Sequence, residues 1–262
     1  MLFLRTMIPK KIHYCWLSGD PYPELIAQCI AGWKDKLPDY EFVLWDANRF
    51  DIAGNEWVRQ AFETKKYAFA ADYIRLFAIY TEGGIYLDTD VEVVKAFDDL
   101  LHLPYFVGSE GNGIIEAGVF GAEARQSWIK DCLDYYIDKP FIKPDGSLDT
   151  LTLPRIMMQQ IGLHREIVEV SKPTLLSQAN PRSNQLLMLP QDFFCAKNHG
   201  SGMITKTDNT YSIHHFAMSW HPKRYTFLPN LKRKLMGIFG VGVVNTVISV
   251  LGLRKIRSIL KG

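Results

Sequence analysis

Two aspartates two positions apart, Asp88 and Asp90, close the stretch Lys66–Asp90, KYAFAADYIRLFAIYTEGGIYLDTD. Carboxylates at i and i+2 of a strand point the same way, roughly 7 Å apart, and a turn at the strand end brings them closer. Hard oxygen donors so placed suit Mg²⁺ or Mn²⁺ bound together with a substrate phosphate. A second pair lies upstream. Asp72 and Arg75 are three residues apart and are the only charges in Tyr67–Thr81. That segment is apolar on nearly every face, which predicts a buried helix. Buried charges need partners, and on a helix this pair can reach each other or a common ligand.

The elements that must position these groups follow from the same stretch. Gly83-Gly84 supplies the backbone freedom that ends a helix, and Ile85-Tyr86-Leu87 reads as a short interior strand. The aspartates then sit at the carboxyl end of that strand, where ligands bind in open α/β sheets. Upstream, Lys11–Trp16 reads as a first strand, Glu24–Lys36 as a helix and Glu41–Trp45 as a second strand, a βαβ unit. Asn55–Lys65 is a further helix. Downstream, Val91–Val94, Tyr105–Gly108, Gly113–Gly121, Ile167–Val170, Leu186–Leu189 and Tyr211–Phe216 are strand candidates, Asp98–His102 is a helical turn, and Ala124–Ile137 and Pro154–Ile161 are helices. Trp16 falls at the end of the first strand, either as a core residue or as a face on which a nucleobase stacks. Glu116, among apolar neighbours, is either satisfied at a strand edge or in contact with substrate. The last strand candidate ends in His214-His215. Neutral imidazole suits Mn²⁺ better than Mg²⁺, and adjacent strand residues face opposite ways, so at most one of the two joins a metal site.

The run A-x-x-D-x-x-R followed by G-G-x-Y-x-D-x-D resembles the sugar-nucleotide site of glycosyltransferase family 32, the transferases with a DXD sugar-binding region. This family includes bacterial capsular-polysaccharide enzymes, and the catalytic domains of the large clostridial glucosylating toxins look related. The opening IPKKIHYCW and the late IHHFAMSW extend the likeness over roughly residues 8–221. The resemblance implies a GT-A-type, Rossmann-like α/β fold with a mixed central sheet flanked by helices. It also implies retaining, metal-dependent transfer of a hexose or N-acetylhexosamine from a UDP-sugar. In the roles it implies, Asp90 binds Mn²⁺ (or Mg²⁺), Asp88 holds ribose and sugar hydroxyls and assists the metal, and Asp72 and Arg75 grip the transferred sugar. Tyr86 lines the pocket and Trp16 packs on uracil. It raises His215 as a third metal ligand and places Ser219 and Trp220 near metal and diphosphate, leaving the third ligand open among His214, His215 and Ser219.

Composition bounds the setting. The 262 residues are 47% hydrophobic, enough for one α/β domain with a sizeable core and too apolar for a disordered chain. Cys15, Cys29, Cys132 and Cys195 are widely spaced, which predicts free thiols in a reducing compartment. The apolar run in the first eleven residues is too short for a signal peptide. From Pro222 onward there are nine Lys/Arg and no Asp or Glu, leaving 21 basic and 28 acidic residues in 1–221. Within this tail, Leu235–Leu253 carries no charge and is flanked by basic clusters. These features predict a catalytic domain over 1–221 and, over 222–262, an amphipathic helical tail lying on an anionic membrane surface. Nucleic acid is not expected as a partner, because the basic clusters bracket an apolar run with no aromatic platform after Phe239. The expected acceptor is a saccharide or lipid-linked saccharide of a surface polysaccharide, at the cytoplasmic face of a bacterial membrane. Two other classes use the same residues: a metal-dependent phosphohydrolase or nucleotidyltransferase, and a non-catalytic membrane-attached binding module.

Overall fold

The computed structural model describes residues 7–172 and 184–217, with single positions between 231 and 246. Strand β1 (Lys11–Cys15) leads into helix α1 (Glu24–Lys36) and strand β2 (Glu41–Trp45), then helices α2 (Glu56–Glu63) and α3 (Tyr67–Glu82). Strand β3 (Gly84–Leu87) and the short β4 (Val91–Val93) flank the aspartates. The chain continues through β5 (Tyr105–Gly111), β6 (Ile114–Ala122), α4 (Ser127–Asp134), α5 (Leu153–Gly162), β7 (Glu166–Glu169), β8 (Gln185–Met188), α6 (Gln191–Phe194) and β9 (Ser212–His214).

The main sheet runs β2-β1-β3-β6-β5, with β1 parallel to β2 and β3, and β6 antiparallel to β3 and β5. The expected mixed α/β sheet is thus present, and the expected βαβ unit is its parallel half. The sheet turns antiparallel at β6, directly beside β3, the strand that leads into Asp88. Two smaller pairs stand apart from it: β4 with β9, antiparallel, and β7 with β8, parallel.

Helix α3 is the buried layer beneath β1 and β3. Its apolar surround, from Phe69 to Ile79, is inaccessible on all but one narrow side. The helix stops at Gly83, whose φ of +66° is left-handed. A Cβ at Gly84 would sit 2.9 Å from the Lys11 carbonyl and 3.0 Å from His13 Nε2, so only glycine lets β3 start this close to β1. His13 is fully buried and satisfied at both ring nitrogens. Trp45 Nε1–H donates to Nδ1 at 3.0 Å, which fixes the proton on Nε2, and that nitrogen donates to the Gly83 carbonyl at 2.9 Å. On the other side of the sheet, the Trp33 indole N–H donates to the Val91 carbonyl at 2.7 Å and ties α1 to the strand after the aspartates.

Most expected elements lie within one or two residues of those found, and the larger differences have local causes. Helix α4 begins at Ser127 and not at Ala124 because Arg125 adopts a left-handed φ of +65°. Strand β9 ends at His214, two residues early, because Phe216 turns left-handed at φ +53°. The single turn α6 carries no sequence periodicity and was not expected. All four cysteines are free and buried. The chain forms two compact units, one of 1–196 with 206–215 and a second of 197–205 with 216–262. The expected tail helix, Ser219 and Trp220 fall wholly or largely outside the described residues. Among the described residues no helix is long and apolar enough to cross a membrane.

Burial holds the His13 pKa below its usual value, despite the hydrogen bond to Gly83. A histidine kept neutral by folding takes up its proton more readily when unfolded, so its contribution is full above pH ~6.5 and declines as pH falls below that. His13→Asn, which cannot titrate, is expected to cost about 1–3 kcal/mol at pH 7.5. In urea titrations its stability curve should converge on that of wild type between pH 7 and pH 5. Parallel curves across that range would show that His13 is not held neutral.

Candidate active site

The carboxyl end of β3 brings together groups from four parts of the chain. One ligand atom each from Asp88, Asp90 and His214 lie within 4.8 Å of one another. His214 Nε2 is 3.4 Å from Asp90 Oδ1 and 4.0 Å from Asp88 Oδ2. The strand pair does the positioning. In the β4–β9 ladder Val91 lies opposite His214, and the His215 N–H donates to the Asp90 carbonyl at 3.1 Å. Strand alternation then sends the two histidines apart. His214 faces the aspartates, whereas His215 Nε2 pairs with Glu92 at 3.0 Å. The geometry therefore gathers His214 and not His215, and the resemblance had favoured the latter.

Asp88 is oriented through both oxygens. Tyr86 Oη donates to Oδ1 at 3.0 Å, and Arg75 Nη1 donates to Oδ2 at 3.1 Å. Arg75 is itself buried and fully engaged. Its Nη1 also donates to the Ala117 carbonyl at 2.9 Å, Nη2 lies 3.1 Å from Asp72 Oδ1, and the guanidinium stacks over the Tyr86 ring with 4.6 Å to the centroid. The expected Asp72–Arg75 pair thus exists, and it braces Asp88 from behind. Burial pushes the Asp72 carboxyl up to about 7, with Arg75 opposing that rise.

Glu116 is the residue that sequence reasoning placed least well. It is neither at a satisfied strand edge nor in an open pocket. It is 1% exposed, accepts from the Gly118 N–H at 2.6 Å, and its Oε1 lies 3.0 Å from His214 Nδ1. A carboxylate on one imidazole nitrogen would fix the tautomer once the ring loses its second proton, leaving the other nitrogen's lone pair for a cation, the arrangement that supports a metal-bound histidine. Burial works against charge on both groups. Even so, the His214 imidazolium holds Glu116 below the usual carboxylate range, while Glu116 and Asp90 lift His214 well above its usual value. No spacing in the sequence links position 116 to position 214, so this pair was not legible.

Asp88, Asp90 and His214, backed by Glu116, form a two-carboxylate, one-imidazole donor set suited to a divalent cation, Mn²⁺ ahead of Mg²⁺. Glycine at position 118 lets these side chains close on one another. A Cβ at Gly118 would sit 2.8 Å from Glu116 Oε1, 2.9 Å from Asp88 Oδ2 and 2.9 Å from His214 Cε1. Trp16 lies half-buried just past β1, its indole N–H donating to the Asp20 carbonyl at 2.7 Å and its ring edge-on to Tyr22 at 5.0 Å.

Two substitutions separate these features. Gly118→Ala should leave the fold intact and weaken Mn²⁺ binding by about 10–100-fold, the range for disturbing the groups that orient metal ligands; unchanged affinity by calorimetry would mean the three side chains do not share an ion. Arg75→Met leaves Asp72 and Asp88 without their cation and should cost about 3–5 kcal/mol in chemical denaturation. A loss below 1 kcal/mol would contradict the bracing role.

Residues 23–107 match the family described as glycosyltransferase sugar-binding region containing DXD motif. Among curated proteins, the chain is 35% identical over 118 residues to inositol phosphoceramide mannosyltransferase 3 of Schizosaccharomyces pombe, covering 44% of this chain and 33% of that protein. It is 50% identical over 111 residues to glucan organizing enzyme 1 of Cryptococcus neoformans, covering 42% and 25%. The chain thus spans a third or less of the length of these two relatives. Among solved structures, PaToxG glycosyltransferase superposes with a TM-score of 0.50 at 20% identity, over 60% of this chain and 70% of that one, a likeness of fold. The sheet thus has the GT-A-type fold of a solved glycosyltransferase, and the segment that resembles the DXD-containing sugar-binding region runs through both aspartates.

Proposed function

We propose that this chain is a metal-dependent glycosyltransferase that moves a hexose from a nucleotide-diphosphate sugar to a lipid-linked acceptor, with retention of anomeric configuration. The observation that carries the reading is the convergence of Asp88, Asp90 and His214 at the end of β3. Asp90 and His214 Nε2 would be the direct metal ligands, with Asp88 assisting. A bound Mn²⁺ would supply charge neutralisation for the departing diphosphate.

The chain's own residues do the rest. Arg75 and Tyr86 hold the Asp88 carboxylate in one orientation, leaving little reorganisation to be done when substrate arrives. Glu116 fixes the proton of His214 on Nδ1 once Nε2 is engaged. The resemblance has Asp72 and Arg75 grip the transferred sugar; behind Asp88 they would act on it through that carboxylate. Trp16, beside Tyr22, is our candidate for the platform under the nucleobase.

The resemblance favours a UDP-sugar, whereas a mannosyltransferase among the relatives favours a mannosyl donor, so donor identity is the first thing to measure. That relative's name also specifies an inositol phosphoceramide, which supports a lipid-linked acceptor reached at a membrane surface through the basic tail. The two relatives described above are fungal, so the reading leaves aside a bacterial membrane and a surface polysaccharide.

The test is release of nucleoside diphosphate from a panel of UDP- and GDP-hexoses, with Mn²⁺ or EDTA, for wild type and Asp90→Asn. Slow Mn²⁺-dependent hydrolysis of one donor is expected, reduced at least 100-fold in the variant by analogy with loss of a preorganised charge-stabilising group. Release of inorganic phosphate in place of intact diphosphate would favour a phosphohydrolase. No turnover and no Mn²⁺-dependent binding of any donor would overturn the reading.

A further inference from the structure

The second compact unit differs from the first in charge. Residues 197–205 and 216–262 hold ten Lys/Arg and no Asp or Glu, whereas the rest of the chain holds the other 20 Lys/Arg and all 28 Asp/Glu. Its segment Lys197–Thr205, KNHGSGMIT, is a closed hairpin. Lys197 and Ile204 form an antiparallel bridge, and the Asn198 N–H donates to the Met203 carbonyl at 2.8 Å. The Asn198 side chain staples the turn, its Oδ1 accepting from the Gly200 and Ser201 N–H groups at 3.0 and 2.9 Å. Gly202, at φ +74°, closes it.

This rigid turn presents two adjacent apolar side chains to solvent, Met203 at 55% and Ile204 at 46% exposure. The same unit exposes Leu231, Leu235 and Val243. His199 packs edge-on against Phe216 at 4.7 Å, tying the hairpin to the start of the basic tail. Single exposed apolar residues are ordinary. A stapled turn that shows two of them, in a unit with ten cations and no acid, is the combination that binds an anionic lipid interface: apolar side chains enter the acyl boundary and cations meet the headgroups. Nucleic acid fits less well, because its phosphates reward the cations but not Met203 and Ile204.

We propose that the Lys197–Thr205 hairpin is a membrane-insertion element that, together with the acid-free basic tail, docks this unit on an anionic bilayer. The proposal rests on the membrane reading of the tail and adds a second, separate contact to it.

The test is flotation of the full-length protein with vesicles of phosphatidylcholine alone or with 30% phosphatidylserine. Wild type should partition onto the anionic vesicles. Met203→Asp/Ile204→Asp should lower partitioning about tenfold or more, since each change removes an exposed apolar side chain that would enter the acyl boundary and adds a charge. Lys232→Glu/Arg233→Glu/Lys234→Glu should lower it through the tail alone. Donor hydrolysis should be unchanged in both variants, since neither replaces a residue of the Asp88 site. Wild-type levels of binding by the hairpin variant, with loss in the tail variant, would overturn the hairpin and keep the tail. No binding of wild type to either vesicle would overturn both. Tighter binding to single-stranded RNA than to anionic vesicles, insensitive to the hairpin variant, would also overturn the proposal.

Discussion

The buried guanidinium of Arg75 is the constraint on which the rest of this site depends. A cation taken out of water stays only where acceptors surround it. Here they come from three directions: the Asp72 carboxylate on its own helix, the Ala117 carbonyl on β6, and the Asp88 carboxylate at the end of β3. The Tyr86 ring covers one face. Between Phe69 and Ile79 helix α3 carries no charge besides the Asp72–Arg75 pair, so the requirement to satisfy it constrains how the helix sits under the sheet, with Glu82 tying the last turn to Lys11 and Arg49. In meeting it, the fold aims Asp88. Stability and orientation of the Asp88 carboxylate are therefore one arrangement, and a change at Arg75 cannot affect one without the other.

Around that hub, close approach is made possible by glycine. Gly84 lets β3 begin against β1, with His13 locked between Trp45 and the Gly83 carbonyl. Gly118 leaves open the space on which Glu116, Asp88 and His214 converge. The two positions act at opposite ends of the same short strand pair, one to set the strand and the other to keep its far end uncrowded. Position 116, two residues along β6, then supplies the carboxylate that orients the histidine.

Much of this was legible in the sequence because it is local. The helix–Gly-Gly–strand–Asp-x-Asp order lies within 25 consecutive residues, and periodicity, glycine chemistry and the cost of burying charge act over that range. The βαβ unit was equally plain, since Glu24–Lys36 and Glu41–Trp45 carry their periods without interruption. What was not legible depends on pairing between distant segments. Strand alternation correctly implied that His214 and His215 part company, but only the β4–β9 register decides which of them faces Asp90. Glu116 could be recognised as unusual but not assigned, because its partner is 98 positions away. The early end of β9 at Phe216 and the late start of α4 after Arg125 rest on left-handed φ values that nothing in those residue types announces.

The β4–β9 register has a consequence beyond orientation. Asp90 and His214 are 124 positions apart in the chain, and a cation held by both would act as a reversible cross-link that closes that loop. In an unfolded chain such a closure carries a large entropic cost, so a preformed pair exists only once β9 has docked. Ion binding and docking of the last strand are then one linked equilibrium: whatever stabilises the strand tightens the ion, and the ion in turn returns its binding free energy to the fold. In this protein the metal would be as much a fastener for the late part of the chain as a reagent for its chemistry.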